Sequence, residues 1–205
     1  MAPDPQSDPA LHTDPLPLFD LWLAQAAASE PNDPNAAALA TATRIGAPSV
    51  RMVLIKPIGP DRFCFFTNAQ SRKGQEIDQN PQAALCFHWK SLRRQVRVEG
   101  PITPLPAALS DAYFHSRSRA SQIGANVSQQ SRPLASRELL EAQFDQFTQS
   151  LPDPKTSQIP RPPHWQGFQI HPTTIEFWQD GPNRLHDRVL FTQINGNWQK
   201  SRLYP

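Results

Sequence analysis

Apolar and polar residues alternate along this chain in two rhythms. Leu18, Leu21, Trp22 and Gln25 recur at helical spacing behind Asp14-Pro15. That pattern predicts an amphipathic helix of about four turns, fading between Ser29 and Pro31. After Asn32-Asp33-Pro34 the rhythm shortens. Strands are predicted at Ala37 to Thr43, Val50 to Lys56, Phe63 to Asn68, Ala83 to Trp89 and Gln95 to Thr103. Turn residues at Ile45-Gly46-Ala47-Pro48 and Gly59-Pro60-Asp61 separate them. Helices are predicted from Ser71 to Asn80-Pro81, from Pro106 to Ser116 and from Ser136 to Gln149. The last should bury a stripe of Leu139, Leu140, Phe144 and Phe147. Leu151 to Pro163 is proline-rich and reads as an extended connector. Four more strands follow at Gly167 to His171, Thr174 to Gln179, Arg188 to Ile194 and Trp198 to Leu203. Asn195-Gly196 is a hairpin signal between the final two. Regular short strands with helices between them predict a mainly β, α+β fold: an antiparallel barrel with peripheral helices.

Composition narrows the picture. At 205 residues the chain suits one domain, expected over 18–205, behind a Pro- and Asp-rich N-terminal arm over 1–17 expected to be mobile. Net charge is only +2, yet Arg outnumbers Lys fifteen to five. Nucleic-acid binding would need a larger basic excess on one face, so none is expected; a few oriented anion contacts fit better. Cys64 and Cys86 sit in apolar runs and read as small core residues of a reducing compartment. No apolar stretch reaches membrane-spanning length and the N-terminus shows no export signal, so a cytoplasmic protein is expected.

Candidate chemistry lies at four places. Arg184-Leu185-His186-Asp187-Arg188 follows the Thr174–Gln179 strand after the turn Asp180-Gly181-Pro182-Asn183. Strand alternation would put Arg184, His186 and Arg188 on one face, where they suit an anionic ligand or a solvated sheet edge equally well. Ser71-Arg72-Lys73 opens a helix with two cations that oppose its dipole. A bound phosphate relieves that conflict, although Ser71 can also be a plain cap. Arg51 and Lys56 bracket Met52-Val53-Leu54-Ile55 and, five apart, are expected on opposite faces of one strand, serving two anions or merely reaching solvent. Tyr113 to Ser121 is dense in phosphate-type donors, with Tyr113 and Arg117 four apart; Gln130-Ser131 lies in a polar run beyond it.

Taken jointly, the chain resembles the pyridoxine/pyridoxamine 5′-phosphate oxidases, FMN enzymes with a split β-barrel. The resemblance rests on Arg51 to Lys56, Phe66-Thr67-Asn68 with Ser71-Arg72-Lys73, and Arg94-Gln95-Val96. It continues through Tyr113 to Arg117, Ser121 to Ala125, Gln130-Ser131, Glu176 to Gln179 and Arg184 to Arg188, and it covers residues from about 14 to 205. The order and spacing of these motifs carry it, since each alone is weak.

The resemblance implies FMN as cofactor, held by Arg51, Arg72, Lys73, Gln130 and Ser131. The run Met52, Val53, Leu54, Ile55 and Lys56, with Phe66, Thr67, Gln95, Trp178 and Arg188, would also line the flavin site. It implies substrate phosphate binding by Lys56, Tyr113, Arg117 and Ser121. Arg184, Leu185 and His186 would lie over the substrate ring, with Arg184 and His186 catalytic. The implied reaction passes a hydride from the 4′ carbon to the flavin, with O2 as terminal oxidant giving hydrogen peroxide. A homodimer with FMN in clefts between subunits is implied too. The chain departs from the pattern in Met1 to Thr13, which holds neither the Arg nor the Tyr of a basic closing segment. Asn126 and Gln166 stand where members often have Trp and Gly. Competing readings are a flavin oxidase of another substrate, such as a phenazine precursor, and a non-catalytic FMN or pyridoxal-phosphate carrier. The phosphate donors argue against the first, and Arg184 with His186 against the second.

Overall fold

A computed structural model describes residues 7–58, 62–153 and 155–205. The predicted turn at Gly59-Pro60-Asp61 lies outside them. Among the described residues, five α-helices and nine strands follow one another in the order α1 (Pro15–Ser29), β1 (Ala36–Ala42), β2 (Pro48–Leu54), β3 (Cys64–Asn68), α2 (Arg72–Gln79), β4 (Gln82–Trp89) and β5 (Arg94–Pro104). Next come α3 (Ala107–Ser116), α4 (Arg119–Val127), α5 (Arg137–Ser150), β6 (Trp165–Ile170), β7 (Thr174–Gln179), β8 (Asp187–Ile194) and β9 (Asn197–Arg202).

All pairings between strands are antiparallel, and the main path runs β2-β1-β4-β5-β7-β8-β9. β5 belongs to two groups. Its residues Arg94–Glu99 pair with β7, while Ile102–Pro104 pair with β6, which in turn holds β3. The sheet does not close on itself, which makes this a split barrel. Asn195 and Gly196 both take positive φ (50° and 79°), the backbone that a two-residue hairpin between β8 and β9 requires.

Alternation builds the core. Leu85, Phe87 and Trp89 on β4, Val96 and Val98 on β5, Ile175 and Phe177 on β7, and Val189 and Phe191 on β8 all point inward. Helix α1 starts at Asp14, whose carboxylate accepts from the Leu16 N–H at 2.9 Å, with Pro15 in the first turn. It sinks Leu18, Phe19, Trp22 and Ala26 among the strands. Phe19 lies 4.8 Å from Phe63 and 5.1 Å from Phe87, and Trp22 meets Phe177 edge-on at 5.1 Å. Such aromatic pairs add about 0.5–1.5 kcal/mol each to the burial of their area.

The opposite surface of the sheet is partly exposed and sorted by chemistry. One row crosses it as Met52, Ala38, Cys86, Arg97, Glu176, Leu190 and Ser201. β2 contributes exposed Val50, Met52 and Leu54, β1 contributes only alanines, and the charged residues gather on β5, β7 and β8. Cys86 is therefore half-buried on this outer face, not in the core; Cys64 is buried, and the two are not joined by a disulfide.

Three further expectations change. Arg119–Val127 forms a helix of its own, α4, capped by Ser118; its apolar signal is too sparse to show in sequence, since Ile123 is its one buried residue. α5 buries no residue fully, and Leu139 is exposed, because the helix packs chiefly on α4. Residues 7–12 of the arm lie against the body. The Trp22 indole donates to the Ser7 carbonyl (2.9 Å), the Arg94 guanidinium donates to Ser7 Oγ (3.0 Å), and Lys200 Nζ donates to the Ala10 and His12 carbonyls.

Candidate active site

Where β3 ends, Ala69 to Ser71 turn the chain into α2, and this junction forms one wall of a cavity of about 600 Å3. Ser71 Oγ caps α2 by accepting from the Gly74 N–H, which occupies the helix's own anchor and leaves Arg72 and Lys73 beside the cavity. Gly74 is required here, since a Cβ would collide with the Ala69 carbonyl. Arg51 approaches from β2. Its guanidinium donates to Thr41 Oγ1 (2.5 Å) and to Ser49 Oγ; both hydroxyls donate in turn to Glu76 Oε2 at 2.5 Å. Glu76 also pairs with Arg72 at 2.9 Å and with Arg51 at 3.3 Å. Burial alone would raise the Glu76 carboxyl, but hydrogen bonds from Ser49, Thr41, Arg72 and Arg51 outweigh it and hold the group down at about 2. Burial pulls Lys73 down to about 8, Arg51 pushes the same way, and Glu76 opposes both. Lys73 Nζ donates to Thr67 Oγ1, Ser71 Oγ and Gln130 Oε1, each at 3.2 Å. Ser131, next to it, stands at φ 74°, a left-handed backbone uncommon for a residue with a Cβ.

A second cationic group faces the same cavity. Phe66 stacks on Tyr113 (4.1 Å) and on Trp165 (5.2 Å), making a flat aromatic wall. Lys56 Nζ sits 5.7 Å from the Tyr113 ring and the Arg117 guanidinium 5.0 Å from the Trp165 ring. Arg117 Nη1 is buried with no hydrogen-bond partner, and burial lowers the guanidinium's pKa. An unpaired buried donor costs about 1–3 kcal/mol, which an anion at this point would recover. Ser121 lines an adjoining recess that shares Phe66, Thr67, Arg117, Gln130 and Trp165 with the cavity. Its hydroxyl accepts from Ser118 Oγ at 2.8 Å.

The expected arrangement of Arg51 and Lys56 is corrected. β2 ends at Leu54 and the chain turns, with Ile55 buried and Lys56 bridging to Cys64. Strand alternation stops before Lys56, so both cations line one cavity instead of two opposite faces. Met52, Val53 and Leu54 line it as well, but Ile55 does not.

Gln95, Trp178, Arg184, Leu185, His186 and Arg188 do not line that cavity. They form a second group on the exposed sheet surface, where Gln95, Trp178 and Arg188 stand in register across β5, β7 and β8. By strand order β5 is three positions from β2, roughly 14 Å along the sheet. Arg188 is held by Glu176 at 2.8 Å, and Glu176 also meets Arg97 at 3.3 Å. The single-face alternation expected for Arg184, His186 and Arg188 does not form, because β8 begins only at Asp187. Arg184 ends a turn in which Asn183 and Arg184 both have positive φ (57° and 64°). Gly181 lets this turn close, since a Cβ there would strike the Leu185 carbonyl. His186 lies 4.7 Å from the Trp178 ring, and Leu185 is exposed.

Sequence reading missed Glu76, Thr41, Ser49 and Trp165. Glu76 left one usable signal: it stands four residues after Arg72 on a short helix, the spacing of a salt bridge.

Comparison with known proteins identifies the family. Residues 23–151 match the family described as "Pyridoxamine 5'-phosphate oxidase", and residues 165–205 match "Pyridoxine 5'-phosphate oxidase C-terminal dimerisation region". The chain is 56% identical over 192 residues to the pyridoxine/pyridoxamine 5′-phosphate oxidase of Sphingopyxis alaskensis, covering 94% of this chain and 88% of that one. It is 56% identical over 194 residues to the Brucella canis protein of the same name, covering 94% of both. Among solved structures, PhzG from Burkholderia lata, in complex with tetrahydrophenazine-1-carboxylic acid, superposes with a TM-score of 0.89 at 30% identity, over 98% of this chain and 97% of that one. An FMN-binding protein from Nostoc punctiforme has the same fold (TM-score 0.76, 19% identity, 95% and 100% covered). With a cavity that gathers two cationic groups around an aromatic wall, and with both halves of its length matched, this chain belongs to the pyridoxamine 5′-phosphate oxidase family.

Proposed function

We propose that this chain is an FMN-dependent oxidase that converts pyridoxamine and pyridoxine 5′-phosphates to pyridoxal 5′-phosphate, reducing O2 to hydrogen peroxide. With the amine substrate, water enters and ammonia leaves. The observation that carries the reading is the pair of anion positions in one cavity, one at Arg51, Arg72 and Lys73, the other at Lys56, Tyr113 and Arg117 with its unpaired Nη1. Two phosphorylated ligands, cofactor and substrate, match two such positions. A carboxylic acid substrate like that of the PhzG complex would bring no phosphate to the second.

The residues divide as follows. Arg51, Arg72, Lys73, Gln130 and Ser131 hold the FMN phosphate and its chain. Lys56, Tyr113 and Arg117, with Ser121 from the adjoining recess, hold the substrate phosphate, and the Phe66 wall excludes water beside it. Bound flavin supplies the two-electron acceptor that O2 later restores. Arg184 orients the substrate and offsets charge that develops in the transition state, while His186 fixes a polar substituent of the ring.

One copy separates these two sets, and a second copy joins them. The apolar strip of Val50, Met52 and Leu54 with the alanines of β1 is the surface on which that copy docks. Gln95, Trp178, Arg184, His186 and Arg188 of one protomer then complete the cavity of the other. FMN thus lies between subunits of a homodimer, each a single FMN-binding domain over 18–205. Two cysteines that form no disulfide suit a reducing, cytoplasmic location.

The test is the absorption spectrum of the purified protein, supplied with FMN, before and after anaerobic pyridoxamine 5′-phosphate. Flavin bands that bleach and return with air support the oxidase. Bands that persist indicate a carrier or another substrate, and failure to retain FMN overturns the reading.

A further inference from the structure

His186 Nδ1 has two neighbours that make opposite demands. Asp180 Oδ1 lies 3.0 Å away and can only accept a proton from it. The Gly181 N–H lies 3.2 Å away and can only donate to it. A neutral imidazole meets one demand at a time, because Nδ1 either carries the proton or offers the lone pair. Asp180 is itself anchored on its far side by Arg93, its backbone N–H donates to the Arg93 carbonyl at 3.1 Å, and its side chain is mostly buried. Among the described residues, Nε2 of His186 has no protein partner.

We propose that Asp180 is a positioning residue that keeps the His186 proton on Nδ1, so that Nε2 meets the substrate as a hydrogen-bond acceptor. The hydrogen bond from an imidazole to a carboxylate is charge-assisted and stronger than one from a peptide N–H to an imidazole, so Asp180 prevails over Gly181. Without the carboxylate, Gly181 captures the Nδ1 lone pair and the proton moves to Nε2, turning an acceptor into a donor. The substrate class selected by the native state is one that presents a donor at this point, a ring hydroxyl or an amino or hydroxyl group on the 4′ carbon. Asp180 therefore sets specificity through His186 without touching the ligand.

This inference takes its ligand from the oxidase reading, but its first readout does not depend on turnover. In the 15N-histidine-labelled holoenzyme, about two pH units above the ordinary imidazole value near 6.5, NMR distinguishes a protonated from a bare ring nitrogen. His186→Gln identifies the relevant signals. The native protein should show the proton on Nδ1, and Asp180→Ala should show it on Nε2. Asp180→Gly, which suits a turn, replaces Ala if that variant does not fold. Arg93→Ala, which loosens Asp180 without removing it, should keep the native pattern. In turnover, Asp180→Ala should raise KM for pyridoxamine 5′-phosphate about tenfold, with a smaller change in kcat and with FMN retained. A proton that stays on Nδ1 without Asp180 overturns the proposal, and so does an Arg93→Ala variant that moves it equally, since loop packing would then decide the tautomer. Absent turnover with the expected NMR change would sink the oxidase reading and leave the dyad standing.

Discussion

Glu76 ties together the residues of one cationic wall of the cavity. It touches Arg51, Arg72, Thr41 and Ser49 at once, so it fixes two guanidinium groups that would otherwise repel each other. Its carboxyl, held at about 2 when folded, stabilises the protein fully above the ordinary value of 4.5, and that contribution is lost as pH falls from 4.5 through 2. Glu76→Gln should therefore lower stability by about 3 kcal/mol at neutral pH and flatten the acid limb of a Tm-against-pH curve. An unchanged acid limb would rule out this role. Lys73 behaves in the opposite sense. Its charged form is penalised in the apoprotein, and it loses its proton near pH 8. A bound phosphate favours the proton, so FMN affinity should fall as pH rises above about 8, and Lys73→Met should weaken binding while removing that slope. Fluorescence titration of apoprotein with FMN reads both. Arg184→Ala should cut turnover by a hundredfold or more with FMN still bound, on the scale of one lost transition-state donor. The cations at these positions were legible in the sequence because their order and spacing are distinctive. Glu76 was harder to read, because its one signal, the spacing of four from Arg72, is shared by any solvated salt bridge on a polar helix.

At the scale of elements, α2 and the turn before β8 show how backbone constraint places side chains. Gly74→Ala tests the first. Alanine gains about 1 kcal/mol of helix propensity, but its methyl group meets the Ala69 backbone, and overpacking of this kind costs about 1–3 kcal/mol or more. The clash prevails, so the variant should melt at lower temperature and bind FMN more weakly, because α2 carries Arg72 and Lys73. A higher melting temperature would show that the helix can shift freely. Elements with strong periodicity or firm punctuation were readable: α1 by its cap and stripe, β7 to the residue, the β8–β9 hairpin by Asn-Gly. α4 was not, since one buried residue gives no stripe. The path after Leu54 was not either, because nothing in Ile55-Lys56 marks the end of a strand. The turn at Asn183-Arg184 breaks an alternation that the sequence suggests, at the cost of left-handed backbone in two residues with side chains.

At the scale of the whole molecule, the two halves of the donor set lie on separate parts of one chain, so the site's completeness is a question of assembly. Mixing Arg117→Ala chains with Arg184→Ala chains tests it. If sites are shared between subunits, each homodimer should be inactive, while half of the randomly mixed dimers should be hybrids with one intact site of two, restoring about a quarter of native activity. No recovery after subunit exchange would mean that each site is built within one chain. Clefts between subunits are implied by the family resemblance alone; the residues themselves are ordered along a line and do not say which sheet surface faces another copy. β5 ties both halves together, because its first residues pair with β4 and β7 while its last three pair with β6. Its amides can be reached by solvent only when both groups of strands separate, so they should exchange hydrogen for deuterium at the rate of global unfolding. Strands β2 and β9, each paired on one side, should exchange by local fraying. Loading with FMN and pairing of chains should then slow β2 far more than β5, leaving a deuterium-uptake map in which protection grows at the rim of the sheet while its centre stays as it was.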